Sequence, residues 1–307
     1  MARSISRRAW LAGAAGATVL GGARPKGVLV DTHVHLFDPA RFPYHPQPTY
    51  QAPPAPLEAY LKFVAEAKID HTIIVHPEPY QDDHRYLEYC FEHEPSRGFF
   101  KGTCLFDPIA PDTPARMQAL VKKLPNRIVA LRIHEMLPAG QPPTASGPIK
   151  DRDLRHPAMK ESWRAAQSLG LAIQMHFIPR FAPGIRDLAT QFRDTPVILD
   201  HLARAGEGTP AEYDQVLELA RLPRVYMKYS AVSYSSKQAY PYPDAKPIVR
   251  KAFDAFGADR ILWGGLGMNM PDFEKEAAQL DLMFDFASES DRAKIRGLNA
   301  KKLFRLD

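Results

Sequence analysis

His33 and His35 lie one residue apart in the apolar run Val30-Asp31-Thr32-His33-Val34-His35-Leu36-Phe37. In a strand, alternate side chains share a face, so the two imidazoles point the same way, with Asp31 below them. Two imidazoles stacked like this can chelate one metal ion or bracket one substrate oxygen. The plainer alternative is a strand with two partly exposed histidines flanking Val34. Further chemical residues fall at the ends of other apolar runs. Gln174 and His176 close one, Asp200-His201 another, and Arg132, His134 and Glu135 a third, while Lys228 lies in a fourth. A buried imidazole needs a hydrogen-bond partner, so repeated histidines at strand ends read as one shared site. Alternation with His201 predicts that Asp200 faces away from a ligand and orients its neighbours.

These residues need a frame that brings distant strand ends together, and the rest of the chain supplies one. Helical patterns over 57–67, 86–93, 114–124, 156–169, 184–192, 211–219 and 247–256 alternate with short apolar strands. The strands cover 72–75, 98–106, 128–134, 171–177, 197–201, 225–230 and 261–264, and 272–286 and 290–304 are closing helices. With the His33 strand this makes eight strands separated by helices. That pattern predicts a parallel sheet closed into an α/β, (β/α)8 TIM barrel, formed as one domain by residues 24–307. Residues 38–56 are rich in proline, which lacks a donor and fixes φ, so they form a stiff loop and neither helix nor central strand. Following the first strand, the loop lies over the C-terminal mouth and can lower Tyr44, His45 and Tyr50 onto a ligand. Packing of those tyrosines on the loop's own prolines is the alternative.

The chain begins differently. Ser6-Arg7-Arg8-Ala9-Trp10-Leu11, a weakly hydrophobic run to Leu20 and the small residues Gly21-Gly22-Ala23 resemble a twin-arginine export signal over residues 1–23. The run is too short to span a membrane. Export by that machinery places the mature protein in the periplasm or outside the cell. The formal charge of +5 falls to +2 once Arg3, Arg7 and Arg8 are removed, and no basic run is left to suggest nucleic acid. Two cysteines, Cys90 and Cys104, do not make a disulfide framework, and they read as structural thiols.

Taken in order, several motifs resemble the amidohydrolase-related (amidohydrolase 2) family, nearest its lactonase-like branch of dicarboxylate and sugar lactonases. They are Asp31-Thr32-His33-Val34-His35, Arg132-Ile133-His134, His176, Asp200-His201, Lys228-Tyr229-Ser230, Arg260-Ile261-Leu262-Trp263-Gly264 and Asn299-Ala300-Lys301-Lys302-Leu303-Phe304. The resemblance implies a distorted (β/α)8 barrel with hydrolysis or decarboxylation at its mouth. One position departs from it. The family follows Trp-Gly on strand eight with a small residue and then a catalytic aspartate, and here Leu266 stands in that place. Losing a positioned general base typically removes about 10²- to 10⁴-fold of rate.

Three outcomes follow. In the first, His33, His35 and His176 hold one zinc or manganese with a water in the fourth position, and His201 or Glu135 manages protons. In the second the site works without metal, and Arg132, Arg180 and Lys228 clamp an anionic small molecule. Tyr44, Tyr50 and Asn269 are further substrate-binding candidates, with a turn role the alternative for Asn269. In either case the expected reaction is hydrolysis of a lactone or another small carboxylate-bearing ester or amide, and a metal-dependent decarboxylase is an alternative. In the third, catalysis is lost and the barrel binds a small anion in the periplasm.

Overall fold

The computed structural model describes Pro25 and residues 27–307, and the export signal expected over residues 1–23 lies outside the described residues. Eight strands pair in parallel and in chain order. They are β1 (Val30–Val34), β2 (His71–Val75), β3 (Phe100–Cys104), β4 (Ile128–Glu135), β5 (Ala172–Phe177), β6 (Val197–Leu199), β7 (Val225–Tyr229) and β8 (Ile261–Trp263). Each is followed by a helix: α1 (Leu57–Ala67), α2 (Arg85–Glu92), α3 (Thr113–Lys123), α4 (Pro157–Ser168), α5 (Ala182–Gln191), α6 (Pro210–Glu218), α7 (Lys246–Phe256) and α8 (Met270–Met283). The (β/α)8 barrel expected from the alternation is therefore the fold.

Two apolar layers hold it together. The larger lies between strands and helices and includes Ile74, Trp163, Phe177 and Trp263. The smaller fills the lower barrel with Val30, Ile73, Ala130, Ala172, Ile198 and Leu262, capped by Ala300, Phe304 and Leu306. The strand period of two then sets what stands above this floor. Two residues beyond Ala130, Ala172 and Ile198 come Arg132, Gln174 and Asp200, and the pairings Arg132↔Gln174 and His134↔His176 stack the next layers. Apolar packing at the bottom thus sends a charged layer, and then an imidazole layer, up to the C-terminal mouth, where barrels of this class carry their chemistry.

β1 departs from simple alternation. Its register on β2 slips between Asp31 and Val34. Asp31 is consequently not below the histidines as strict alternation predicts. It takes a hydrogen bond from Tyr60 Oη of α1 at 3.0 Å and one from Gly265 N at 2.8 Å. Beyond the slip, His33 and His35 do share a face.

The barrel closes where β8 meets β1. Thr32 Oγ1 donates to the Trp263 carbonyl at 2.8 Å. A Cβ on Gly264 would lie 2.6 Å from Thr32 Oγ1 and 2.8 Å from His33 N, so only glycine lets the strands approach this closely. Both cysteines are free and buried. We expect Gly264→Ala to lower the unfolding free energy by about 1–3 kcal/mol, the usual cost of overpacking. Urea unfolding of the variant checks this, and an unshifted midpoint at constant slope would mean that β8 can back away from β1 without penalty.

Candidate active site

At the centre of the mouth is a buried ion cluster. The Asp200 carboxylate takes Arg132 Nη2 at 3.2 Å and Gln174 Nε2 at 3.0 Å on Oδ2, and faces Lys228 Nζ at 3.1 Å with Oδ1. Burial opposes ionisation of Asp200, but the neighbouring charges, Lys228 first and Arg132 with it, outweigh it and hold the carboxyl well below its usual range. Burial likewise lowers the Lys228 ammonium, with Asp200 acting against that. Two cations share one carboxylate, so the cluster keeps a net positive charge.

The expectation that Asp200 faces away is corrected here. As an inward residue two positions after Ile198, it continues the alternation of β6 into the barrel. What the pattern does not reveal is the backbone that follows. β6 stops at Leu199, and His201, Leu202, Ala203 and Arg204 all adopt left-handed conformations, with φ between 50° and 58°. Such residues cost roughly 1–2 kcal/mol each when they are not glycine, and strain of this kind collects at functional sites. The turn brings His201 into the mouth beside Asp200, and it brings Arg204 there as well.

Histidines form the next layer. His33 Nε2 and His35 Nε2 lie 3.2 Å apart, and His35 Nδ1 meets the Val75 carbonyl at 2.7 Å. The His201 ring is 4.5 Å from that of His33 and 5.3 Å from that of His176, and His201 Nδ1 pairs with Ser230 Oγ at 2.8 Å. His134 Nε2 faces Glu78 Oε1 at 3.3 Å. Burial and the nearby cations lower all of these imidazoles, His35 and His201 to about 3 and His33, His134 and His176 well below the usual value. They are neutral at pH 7. His35, His176 and Arg204 are partly open, while His33, His134, His201, Arg132, Asp200 and Lys228 lie beneath them.

Several sequence candidates sit elsewhere. Glu135 points out of the barrel on β4, where burial and then Asp151 and Asp153 raise its carboxyl to about 8. It is protonated at neutral pH and stands apart from the histidine pair. Arg180 stacks on Phe181 at 4.5 Å on that same side. Tyr44 donates its hydroxyl to Ala52 within its own loop at 2.9 Å. Asn269 caps α8, accepting from Asp272 N at 3.0 Å. Tyr50 does reach the rim, in the field of Glu78, Arg132 and Tyr234, and Thr49 Oγ1 donates to Glu78 Oε2 at 2.7 Å, pinning the proline-rich loop there. Leu266 is fully buried in the main core.

Arg204 and Tyr234 are the residues that sequence reasoning passed over. The Arg204 guanidinium lies 3.7 Å over the Tyr234 ring, Nη1 is 3.4 Å from His176 Nε2, and the far side pairs with Glu207. An arginine three positions after a strand-end histidine was the available signal. Only the left-handed turn makes it point inward.

The chain is a parallel eight-stranded (β/α)8 barrel with acid–base and cationic groups gathered at its C-terminal mouth, and the family and relatives it matches are of hydrolase type. The Amidohydrolase family model matches residues 30–306, and the chain belongs to that family. It is 26% identical over 285 residues to 4-sulfomuconolactone hydrolase of Hydrogenophaga intermedia, covering 89% of this chain and 88% of that protein. It is 27% identical over 299 residues to L-fucono-1,5-lactonase of Burkholderia ambifaria, covering 91% and 96%. In structure it resembles an amidohydrolase of Burkholderia multivorans with bound zinc, with a TM-score of 0.65 at 16% identity, covering 92% of this chain and 100% of that one.

Metal dependence is usual in this family, so the donor set must be tested. Among the described residues, His33, Asp200 and His201 bring ligand atoms within 4.8 Å of one another, and His176 is not part of that group. The spacing suits an ion, but the electrostatics do not. The carboxylate in the group already carries Lys228 and Arg132, and Lys228 Nζ stands 3.3 Å from His33 Nδ1. A divalent cation would add two charges to a cluster that is already positive. The residues present therefore do not fit a resident divalent ion.

The depressed histidines have a consequence for stability. His33, His35, His76, His84, His134, His176 and His201 all titrate below their unfolded value near 6.5. Between about pH 4 and 6.5 the unfolded chain binds the extra protons, so stability falls as pH falls through this window. Glu135, Glu276 and Asp31, whose pKa values are raised, act in the opposite sense. With seven groups against three, the net slope is positive, at about 1.4 kcal/mol per pH unit for each net proton. Urea midpoints measured from pH 7 to pH 5 should drop steeply, and a flat profile over that range would contradict the neutral buried histidines.

Proposed function

We propose that this chain hydrolyses a small lactone that carries an anionic group. The observation behind this reading is the placement of His176 and Arg204 together at the open surface of a buried, net-positive cluster. An arginine can only donate, so His176 Nε2 beside Arg204 Nη1 holds a lone pair and its proton is on Nδ1. A neutral base and a cation thus face each other, and the His176 lone pair is released to a water when the guanidinium turns to the anionic group of the substrate.

The chemistry follows from that pairing. Arg204 and the cations beneath it bind the anionic substrate and take up negative charge on the carbonyl oxygen as a water attacks the carbonyl carbon. His176 removes the water's proton. The ring C–O bond then breaks, and the protonated His176 returns the proton to the leaving oxygen, giving the hydroxy acid. His201, held by Ser230, is the second imidazole in reach of the developing charge. No step requires a carboxylate at position 266. In the free protein His176 is a weak base, because burial and then Arg132 depress it. An anionic substrate offsets that cationic field and raises the base towards its working range. The names of the two relatives, a sulfomuconolactone hydrolase and a fuconolactonase, support a lactone as the substrate class. We further infer export by the twin-arginine route, supported by Ser6-Arg7-Arg8 and the short weakly hydrophobic run behind it.

The direct test is turnover of 4-sulfomuconolactone and L-fucono-1,5-lactone by the mature chain. His176→Ala should lower kcat by about 10²- to 10⁴-fold, the usual contribution of a general base. Arg204→Ala should raise KM by about 10- to 100-fold, the worth of a charged hydrogen bond, and lower kcat as well, because the guanidinium also meets the developing oxyanion. With an anionic lactone, the acid limb of kcat should lie at higher pH than that of kcat/KM. Thermal stabilisation by anionic lactones without any turnover would instead make the barrel a binding protein.

A further inference from the structure

Lys228 is fully buried in the barrel interior, where its ammonium hydrogen-bonds two neighbours and ion-pairs with a third. Nζ lies 3.0 Å from the Thr32 carbonyl, 3.1 Å from Asp200 Oδ1 and 3.3 Å from His33 Nδ1. An ammonium has three donors and no acceptor. The neighbouring contacts have a direction that can be read independently of Lys228. The Val75 carbonyl only accepts, so the neutral His35 carries its proton on Nδ1 and presents a lone pair at Nε2. His33 Nε2, 3.2 Å from that lone pair, must then be the donor. His33 Nδ1 is left as an acceptor, and it is the atom that meets the ammonium. Asp200 Oδ1, at 3.7 Å from His33 Nδ1, is too far to hold a proton there.

We propose that Lys228 is a built-in cation that takes over the electrostatic place of a metal ion. By fixing His33 in the Nε2–H tautomer, it turns the histidine pair into a one-way hydrogen-bond chain running Lys228, His33, His35, Val75. A metal at the paired Nε2 atoms would need both lone pairs. His33 would have to move its proton to Nδ1, where it would point at the ammonium. Histidine ligands normally give that second N–H to a carboxylate or carbonyl. Lys228 is therefore a positioning residue, acting through His33, and the inference holds whatever substrate the site takes.

The test uses metal binding and ring protonation, which do not depend on activity. Zn²⁺ and Co²⁺ are titrated into the full mature chain and into Lys228→Met, by calorimetry and by chelator competition. Removing the ammonium frees His33 Nδ1 to carry the proton, so Lys228→Met should bind one ion per chain at least tenfold more tightly than the wild type. Equal affinities in the two proteins would overturn the proposal. Because Lys228→Met leaves a buried carboxylate with one partner fewer, a Lys228→Met/Asp200→Asn variant and a wild-type measurement guard against misfolding. Ring ¹⁵N NMR of wild-type protein should show His33 protonated on Nε2 and bare on Nδ1. A His33 protonated on Nδ1 would overturn the proposal without any variant.

Discussion

The Asp200 carboxylate, shared by Arg132, Lys228 and Gln174 inside the barrel, is the contact on which the site depends. Removing one member of such a buried group typically costs about 3–5 kcal/mol, because the remaining charge is stranded away from water. The barrel accepts the cost of burying these ions because three strands, β4, β6 and β7, bring them to one level. Once assembled, the cluster fixes the register of those strands at their upper ends, and burial together with its residual positive charge keeps every imidazole above it neutral. Neutral histidines over a cationic floor are suited to an anion and ill suited to a divalent metal.

A second constraint acts at the seam between β8 and β1. Asp31, just before the slip in β1, turns outward, and it takes hydrogen bonds from Tyr60 and from Gly265 just beyond β8. This draws the turn after β8 in, and Leu266 buries its side chain in the main core. Leu266, at the position where the family resemblance leads one to expect an aspartate, serves packing here. Imidazoles on β5 and after β6 reach the mouth by other routes, and the reaction proposed above assigns proton handling to them. Gly264, pressed against Thr32 and His33, couples this seam to the histidine pair.

The turn after β6 connects fold to chemistry more directly than any regular element. Four successive left-handed residues are costly in an L-polypeptide, and they persist because the ends are tied down. Leu202 and Ala203 are buried, and Arg204 is held by Glu207 and by the face of Tyr234. The turn places two consecutive residues, Asp200 and His201, in one site, which strand alternation forbids.

The sequence by itself determined the barrel. Eight short apolar runs separated by amphipathic helices leave few other ways to bury both faces of a sheet, and the strand period then sends Arg132, His134, Gln174, His176 and Lys228 inward. The histidine pair and the proline-rich loop over the mouth were legible for the same reason, since each depends on local spacing or local residue type. What tertiary structure alone decided was which charges meet and how the backbone leaves the strands. The inward course of His201 and Arg204, the outward course of Arg180, the use of Asn269 as a helix cap and the burial of Leu266 all depend on a left-handed turn or on contacts between segments distant in sequence. None of these has a local pattern, because each is stabilised by partners that only the closed barrel brings together.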